Sequence, residues 1–269
     1  WMFSALNIIR PVIAEKLGCK EIELSQNYLY FFEKLEKANL FLNAVIETRE
    51  KPHTDRMVES LLKTNIQDGQ NWLGFSGLVK KYGVVPIGVM PETFSSSNSG
   101  HVNRVLSVRL KQAAVCIRSE KNPARVDALR QQALKDVYKI LAINFGIPPK
   151  TFTWRYENRD KNLVQLETQT PQQFFNENVG DKLESYYALY SIPTLEFGKK
   201  YAIERNRIVS SGEDLYFINL PLEAMKEVAK NSLLDSSAVW FGCDVGQQAN
   251  SEIGLLTARI TAAMDAAPS

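Results

Sequence analysis

Histidine is the scarcest chemically versatile residue in this sequence. His53 and His101 are the only two in 269 positions. A hydrolytic site built on an imidazole base therefore has few candidates within the chain. His53 lies in a charged loop, "KPHTDR", where a solvated surface role is expected. His101 follows "SSSNSG", where a hydrogen-bonded loop role is expected. Cysteine is almost as sparse. Cys19, Cys116 and Cys243 are widely spaced, with no CxxC pair, so neither a structural zinc site nor a disulfide framework is supported. Such sparse cysteines fit a reducing compartment. No apolar run approaches the length a membrane-spanning helix needs. Charge of one sign is not in excess: 32 basic against 30 acidic residues argues against a dedicated nucleic-acid binder. Glycine-rich phosphate cradles are missing, as are HExxH and EF-hand patterns.

What is present reads as helices first and strands later, an α+β layout. Residues 1–17 carry Phe3, Leu6, Ile9 and Ile13 at helical spacing, with Gly18 placed as a C-terminal cap. Pro11 predicts a kink or an early stop within that helix. Ser25 is expected to cap a long helix whose apolar stripe is Leu29, Phe32, Leu35, Leu40, Leu42 and Val45. A short helix over "RMVESLLKTN" precedes the turn "QDGQNW". A helix closed by Gly83 follows, and then an ordered loop runs to Gly100. Residues 101–145 are helical by pattern, with a break at Asn122 and Pro123. "FTWRYE" and "NLVQLET" predict a hairpin, and Thr170 with Pro171 predicts a helix start. Two strands are expected around Gly212, a helix over "PLEAMKEVAKNSLLD", and a buried strand over "SAVWFGCDVG". The Ala-rich stretch "TARITAAMDAAPS" carries no stop signal.

The three thiols are expected to be structural. Cys19 sits at a helix C-terminus, which disfavours thiolate. Cys116 is expected as a small core residue on an amphipathic helix, and Cys243 within the apolar strand. Arg104, Arg109, Lys111, Arg118, Lys121, Arg125 and Arg130 cluster in one helical region. A solvated helix face is the favoured reading of that cluster, and a nucleic-acid contact the alternative. Read from residues alone, the sequence describes an α+β protein with no complete active site.

Longer stretches add a resemblance. "WMFSALN" is similar to the sequence that follows the nucleophile in papain-like cysteine peptidases, Gly-x-Cys-Trp-x-Phe-Ser, through Trp1, Phe3, Ser4 and Ala5. "ELSQNYLYFFEKLEKANLFL", "DGQNW", "YGVVP", "GVMPETFSSSNS", "PPKTFTWRYENRDKN", "TPQQFF" and "AVWFGCDVG" resemble, in order, segments of the bleomycin hydrolase and aminopeptidase C family. The likeness thins over residues 100–145 and beyond about residue 255. It implies a papain-like fold in three parts. Residues 1–100 would be the helical half, 101–195 a family-specific insertion, and 196–269 the start of the strand-rich half.

The resemblance also implies an activity: release of amino-terminal residues from peptide substrates by a Cys thiolate through an acyl-enzyme. It implies a cytoplasmic homohexamer that needs no metal or other cofactor and no membrane, with weak nucleic-acid binding or a catalytically dead homologue as the alternatives. It places the nucleophile immediately before Trp1, the oxyanion-hole Gln upstream of that, and the His and Asn beyond Ser269. No catalytic residue is then expected inside this sequence. A substrate-pairing turn is expected at Asp68, Gly69 and Gln70. The family form of this turn is Asp-Gly-Gly-Gln-Trp, so Gln70 adds a side chain where a substrate backbone would approach closely. Ser95 to Ser99 would either border the cleft or form a hydrogen-bonded connection.

Overall fold

In a computed structural model, residues 1–246, 248–250 and 252–256 are described. The stretch 257–269, with its Ala-rich sequence, lies outside them. The first unit, Trp1–Ala238, holds the helical assembly and two sheets. Helix α1 spans Met2–Leu17 and ends on Gly18 in the left-handed conformation, φ 62°. Pro11 does not break it. The proline ring is exposed, while Ile9 and Ile13 on the opposite side, and Ile8 one turn before it, are buried. Burying each such side chain contributes about 1.5–3 kcal/mol, which together outweighs the roughly 3 kcal/mol that an interior proline costs. Phe3, placed by spacing on the apolar stripe, is instead 55% exposed.

Helix α2, Gln26–Glu47, is the central element. The Ser25 hydroxyl caps it by accepting from the Tyr28 amide at 3.0 Å and itself donates to the Met90 carbonyl at 2.5 Å. Asn27, fully buried, donates through Nδ2 to the carbonyls of Pro91 and Phe145, each at 2.8 Å, so three distant segments meet at one amide. α2 packs against α1, α3 (Arg56–Lys63) and α4 (Trp72–Tyr82). It also packs against α6 (Gly100–Ser119) and α7 (Pro123–Phe145). The expected break between α6 and α7 is present, with Asn122 capping α7 and Pro123 in its first turn. A short helix, α5 (Phe94–Ser97), interrupts the loop before α6, and His101 lies on α6 rather than in a loop.

The hairpin is formed by β1 (Phe152–Glu157) and β2 (Leu163–Gln169), antiparallel, with Trp154 opposite Leu166. Helix α8, Pro171–Asn178, begins with a reciprocal capping box between Thr170 and Gln173. A 3-10 turn, Gly180–Ser185, leads on to a small sheet. Its order is β3 (Leu189–Tyr190), β5 (Leu215–Asn219), β4 (Lys200–Ile203), with β3 parallel and β4 antiparallel to β5. Helix α9, Leu222–Leu234, follows Pro221.

The second unit starts at Val239. The strand expected over "SAVWFGCDVG" is not formed. An apolar run becomes a buried strand only when a neighbour satisfies its backbone groups, and among the described residues no strand pairs with it. Phe241 is 72% exposed and Cys243 is exposed as well. Further on, β6 (Ala249–Asn250) pairs antiparallel with β7 (Leu255–Leu256). Cys116 is also exposed, contrary to its expected core role. The buried stripe of α6 runs through Leu110, Ala113, Ala114 and Ile117, and Cys116 lies off it beside exposed Val115.

Candidate functional site

The turn that enters α4 is built from below by α2. One face of α2 presents Tyr30, Glu33, Lys34 and Lys37, at spacings of three and four residues. The side chains of Glu33 and Lys34 are fully buried. Lys34 Nζ stands 3.3 Å from Glu33 and donates to Asp68 Oδ1, which also accepts from the Tyr30 hydroxyl. The other carboxylate oxygen, Oδ2, accepts from Ser99 Oγ at 2.7 Å and Asn103 Nδ2 at 3.0 Å, both at the start of α6. Lys37, ion-paired with Glu33, donates to the carbonyls of Gln67 at 2.6 Å and Gly69 at 2.9 Å. Both backbone carbonyls flanking Asp68 are thus tied to one ammonium.

The electrostatics follow from that enclosure. Partial burial of Asp68 pushes its pKa up, but the hydrogen bonds from Lys34, Tyr30 and Ser99 outweigh it and hold the carboxyl well below the usual range. Burial and the Asp68 carboxylate push the Tyr30 phenol up. Burial pulls Lys37 down, against the attraction of Glu33. Asp68 is an anion at any physiological pH, and its role here is to fix the turn.

Gly69 carries the left-handed backbone of the turn, φ 93°, which a side chain would strain. Gln70 does not adopt positive φ. Its side chain turns back onto the start of α4, where Oε1 accepts from the Asn71 amide at 3.0 Å and from Asn71 Nδ2 at 2.8 Å. Asn71 caps α4 through its own Oδ1, which accepts from the Gly74 amide at 3.0 Å. Asn71 Nδ2 also donates to Asn206 Oδ1. Trp72, first in α4, is buried against Phe75 and Tyr186.

Sequence reasoning singled out Asp68, Gly69 and Gln70, and the structure brings them together in one pinned turn. It passed over Tyr30, Lys34, Lys37, Asn103 and Asn206. The signal for the first three was available as a stripe at positions 30, 33, 34 and 37 with helical spacing. Ser99, one of a serine run with two readings, makes its hydrogen bond to Asp68, while Ser95 bonds Asn144 Oδ1 at 3.0 Å.

The remaining candidates lie elsewhere. The Cys19 thiol is buried against the Ala14 carbonyl, and burial pushes its pKa up, so it is not a thiolate. His53 is exposed and lines a cleft of about 380 Å³ with Arg49, Lys51, Val115, Arg118 and Ser119. His101 is exposed on α6. Of the basic cluster, Arg109 pairs with Asp136, and Arg130 bonds Asn39 and Asn43. Arg118 bonds the carbonyls of Thr48 and Lys51. Among the described residues no group of three or more His, Cys, Asp or Glu is placed to hold a metal ion. No described helix is long and apolar enough to cross a membrane.

The family model described as the Peptidase C1-like family matches residues 1–266. The chain belongs to this family. Aminopeptidase C of Listeria monocytogenes is 37% identical over 259 residues, which cover 95% of this chain and 59% of that protein. Human bleomycin hydrolase is 32% identical over 265 residues, covering 95% of this chain and 58% of its own. The crystal structure of PepW from Lactobacillus rhamnosis superposes with a TM-score of 0.88 at 38% identity, over 93% of this chain and 57% of that one. The α+β, papain-like fold and the family that the resemblance implied are therefore both borne out. The chain spans somewhat under three fifths of the length of these relatives.

Proposed function

We propose that this chain carries, over residues 1–100, the helical half of a papain-like cysteine aminopeptidase, which forms one wall of its substrate cleft. The observation that carries the reading is the pairing of two features that the family sequence joins. The Trp-Met-Phe-Ser-Ala run forms the first turn of α1, a helix packed against α4. The Asp68–Gln70 turn at the entry of α4 is held by α2 and α6. On this reading the backbone at Gly69 and Gln70 pairs with an extended peptide. The attacking thiolate belongs to the residue preceding Trp1. A cysteine there sits at the N-terminus of α1, where the helix dipole and a facing imidazolium lower its pKa. The thiolate adds to the carbonyl of the first peptide bond, the amine leaves with a proton from the imidazolium, and water then hydrolyses the acyl-enzyme. None of these groups is supplied by Cys19, Cys116, Cys243, His53 or His101. The family likeness further supports a homohexameric, cytoplasmic whole protein.

The test is to read the coding sequence upstream of Trp1, express the whole reading frame, and follow release of chromophore from amino-acid arylamides. The expected result is turnover abolished by a thiol alkylator. Alkylator-sensitive turnover by the 269 residues alone would contradict the assigned position of the nucleophile. Sedimentation of the whole protein as a monomer would remove the hexamer.

A further inference from the structure

Gln70 stands where the family turn has glycine, yet its side chain is not aimed outward. It lies in a notch at the start of α4 that exists because residue 74 has no side chain. A Cβ built at Gly74 would overlap Gln70 Cγ, stand 2.8 Å from Cδ, and stand 3.1 Å from Ile208 Cδ1. The amide end of Gln70 is engaged by Asn71 through two hydrogen bonds. Asn71 in turn is tied to Asn206, two residues before Ile208, which forms the far side of the notch. Three linked features therefore place one flexible side chain against the start of α4: the missing Cβ at residue 74, the Asn71 donors, and the segment 206–208 to which Asn71 is tied.

We propose that Gln70 is a specificity-determining residue stored in the Gly74 notch, and that the pair sets how closely a peptide backbone approaches Gly69 and Gln70. The consequence for substrate rests on the peptidase reading above; the coupling between positions 70 and 74 does not. Filling the notch leaves Gln70 only the space over the turn. There its four heavy side-chain atoms beyond Cβ would stand between the backbone and an incoming strand. The ligand is an extended peptide recognised through main-chain hydrogen bonds, the mode in which a single displaced side chain obstructs most.

The test uses the whole protein and three variants, Gly74→Ala, Gln70→Gly and the two combined, read by arylamide kinetics and by Tm. Gly74→Ala is expected to raise KM about fivefold to tenfold with kcat nearly unchanged, as loss of about one backbone hydrogen bond to substrate would do. Combined with Gln70→Gly, the same change is expected to leave KM within about twofold of Gln70→Gly alone, because no side chain remains to be displaced. The Tm should show the same coupling. Gly74→Ala should lower it by about 3 °C when Gln70 is present, and leave it unchanged or raised in the Gln70→Gly background, since Ala is the better helix former. An unchanged KM in Gly74→Ala, or an equal rise in both backgrounds, overturns the specificity role. An equal Tm change in both backgrounds overturns the notch itself. Absence of turnover in the unsubstituted protein overturns the peptidase reading, and the Tm cycle still decides the coupling.

Discussion

The ammonium of Lys34, on a side chain with no solvent exposure in the middle of α2, donates to the carboxylate of Asp68 in the turn that enters α4. This one bond joins the centre of the helical core to the wall where the substrate is proposed to bind. Its partners explain why it persists. Glu33 is ion-paired with both Lys34 and Lys37, the Glu33 and Asp68 carboxylates together balance the two ammonium groups, and Asp68 accepts from four donors.

Replacing Lys34 tests that linkage. Lys34→Met preserves most of the buried volume and removes the charge, so Glu33 keeps only Lys37 as cationic partner and Asp68 loses its strongest donor. We expect a loss of about 3 kcal/mol in unfolding free energy, at the low end for a broken buried pair because Lys37 remains. Urea denaturation followed by circular dichroism measures it, and a change under about 1 kcal/mol would show that the network adds little.

The same carboxylate predicts a pH dependence. Asp68 has a folded-state pKa below the ordinary aspartate value of 3.8. A depressed folded pKa contributes stability that is complete above the unfolded pKa and is lost as pH falls through that value towards the folded one. The stability difference between the unsubstituted chain and Asp68→Asn should therefore be largest near neutrality and shrink below about pH 5. Urea midpoints at pH 7 and pH 3 give the difference directly, and a gap that widens in acid would reverse the assignment.

Gly83 closes α4 with φ 74°, and a Cβ there would overlap the backbone of Pro171 at the start of α8. The obstacle is main chain, so no rotamer change relieves it. Gly83→Ala is expected to cost about 4 kcal/mol or more, combining left-handed strain with displacement of α8. A melting temperature within about 3 °C of the unsubstituted protein would contradict this close approach.

The thiols should separate into two classes. Cys116 and Cys243 are exposed, whereas Cys19 is buried with its pKa pushed up. In native buffer a disulfide reagent is expected to modify Cys116 and Cys243 promptly, and Cys19 only on unfolding. Peptide mapping by mass spectrometry assigns the sites, and rapid native labelling of Cys19 would refute its burial.

Local chemistry is legible in the sequence itself. Ser25, Asn122, Thr170 and Pro171 mark helix starts because capping and proline geometry act within four residues. The hairpin of β1 and β2 was legible for the same reason, since alternation of side chains along each strand is a local property. The helices-first order, the family and the presence of a turn at 68–70 also came from the chain alone, whereas the side chains that pin that turn did not. Tertiary structure decided the rest. Pro11 sits inside an unbroken helix because buried isoleucines flank it, and 237–246 stays out of a strand because among the described residues no neighbour pairs with it. The charges of Glu33 and Lys34 lie in the core because Asp68 and Lys37 meet them there. Gln70 turns away from its own backbone because a distant Ile208 and the bare α-carbon of Gly74 leave a space of the right size. Each of these depends on atoms far apart along the chain, which no local pattern encodes.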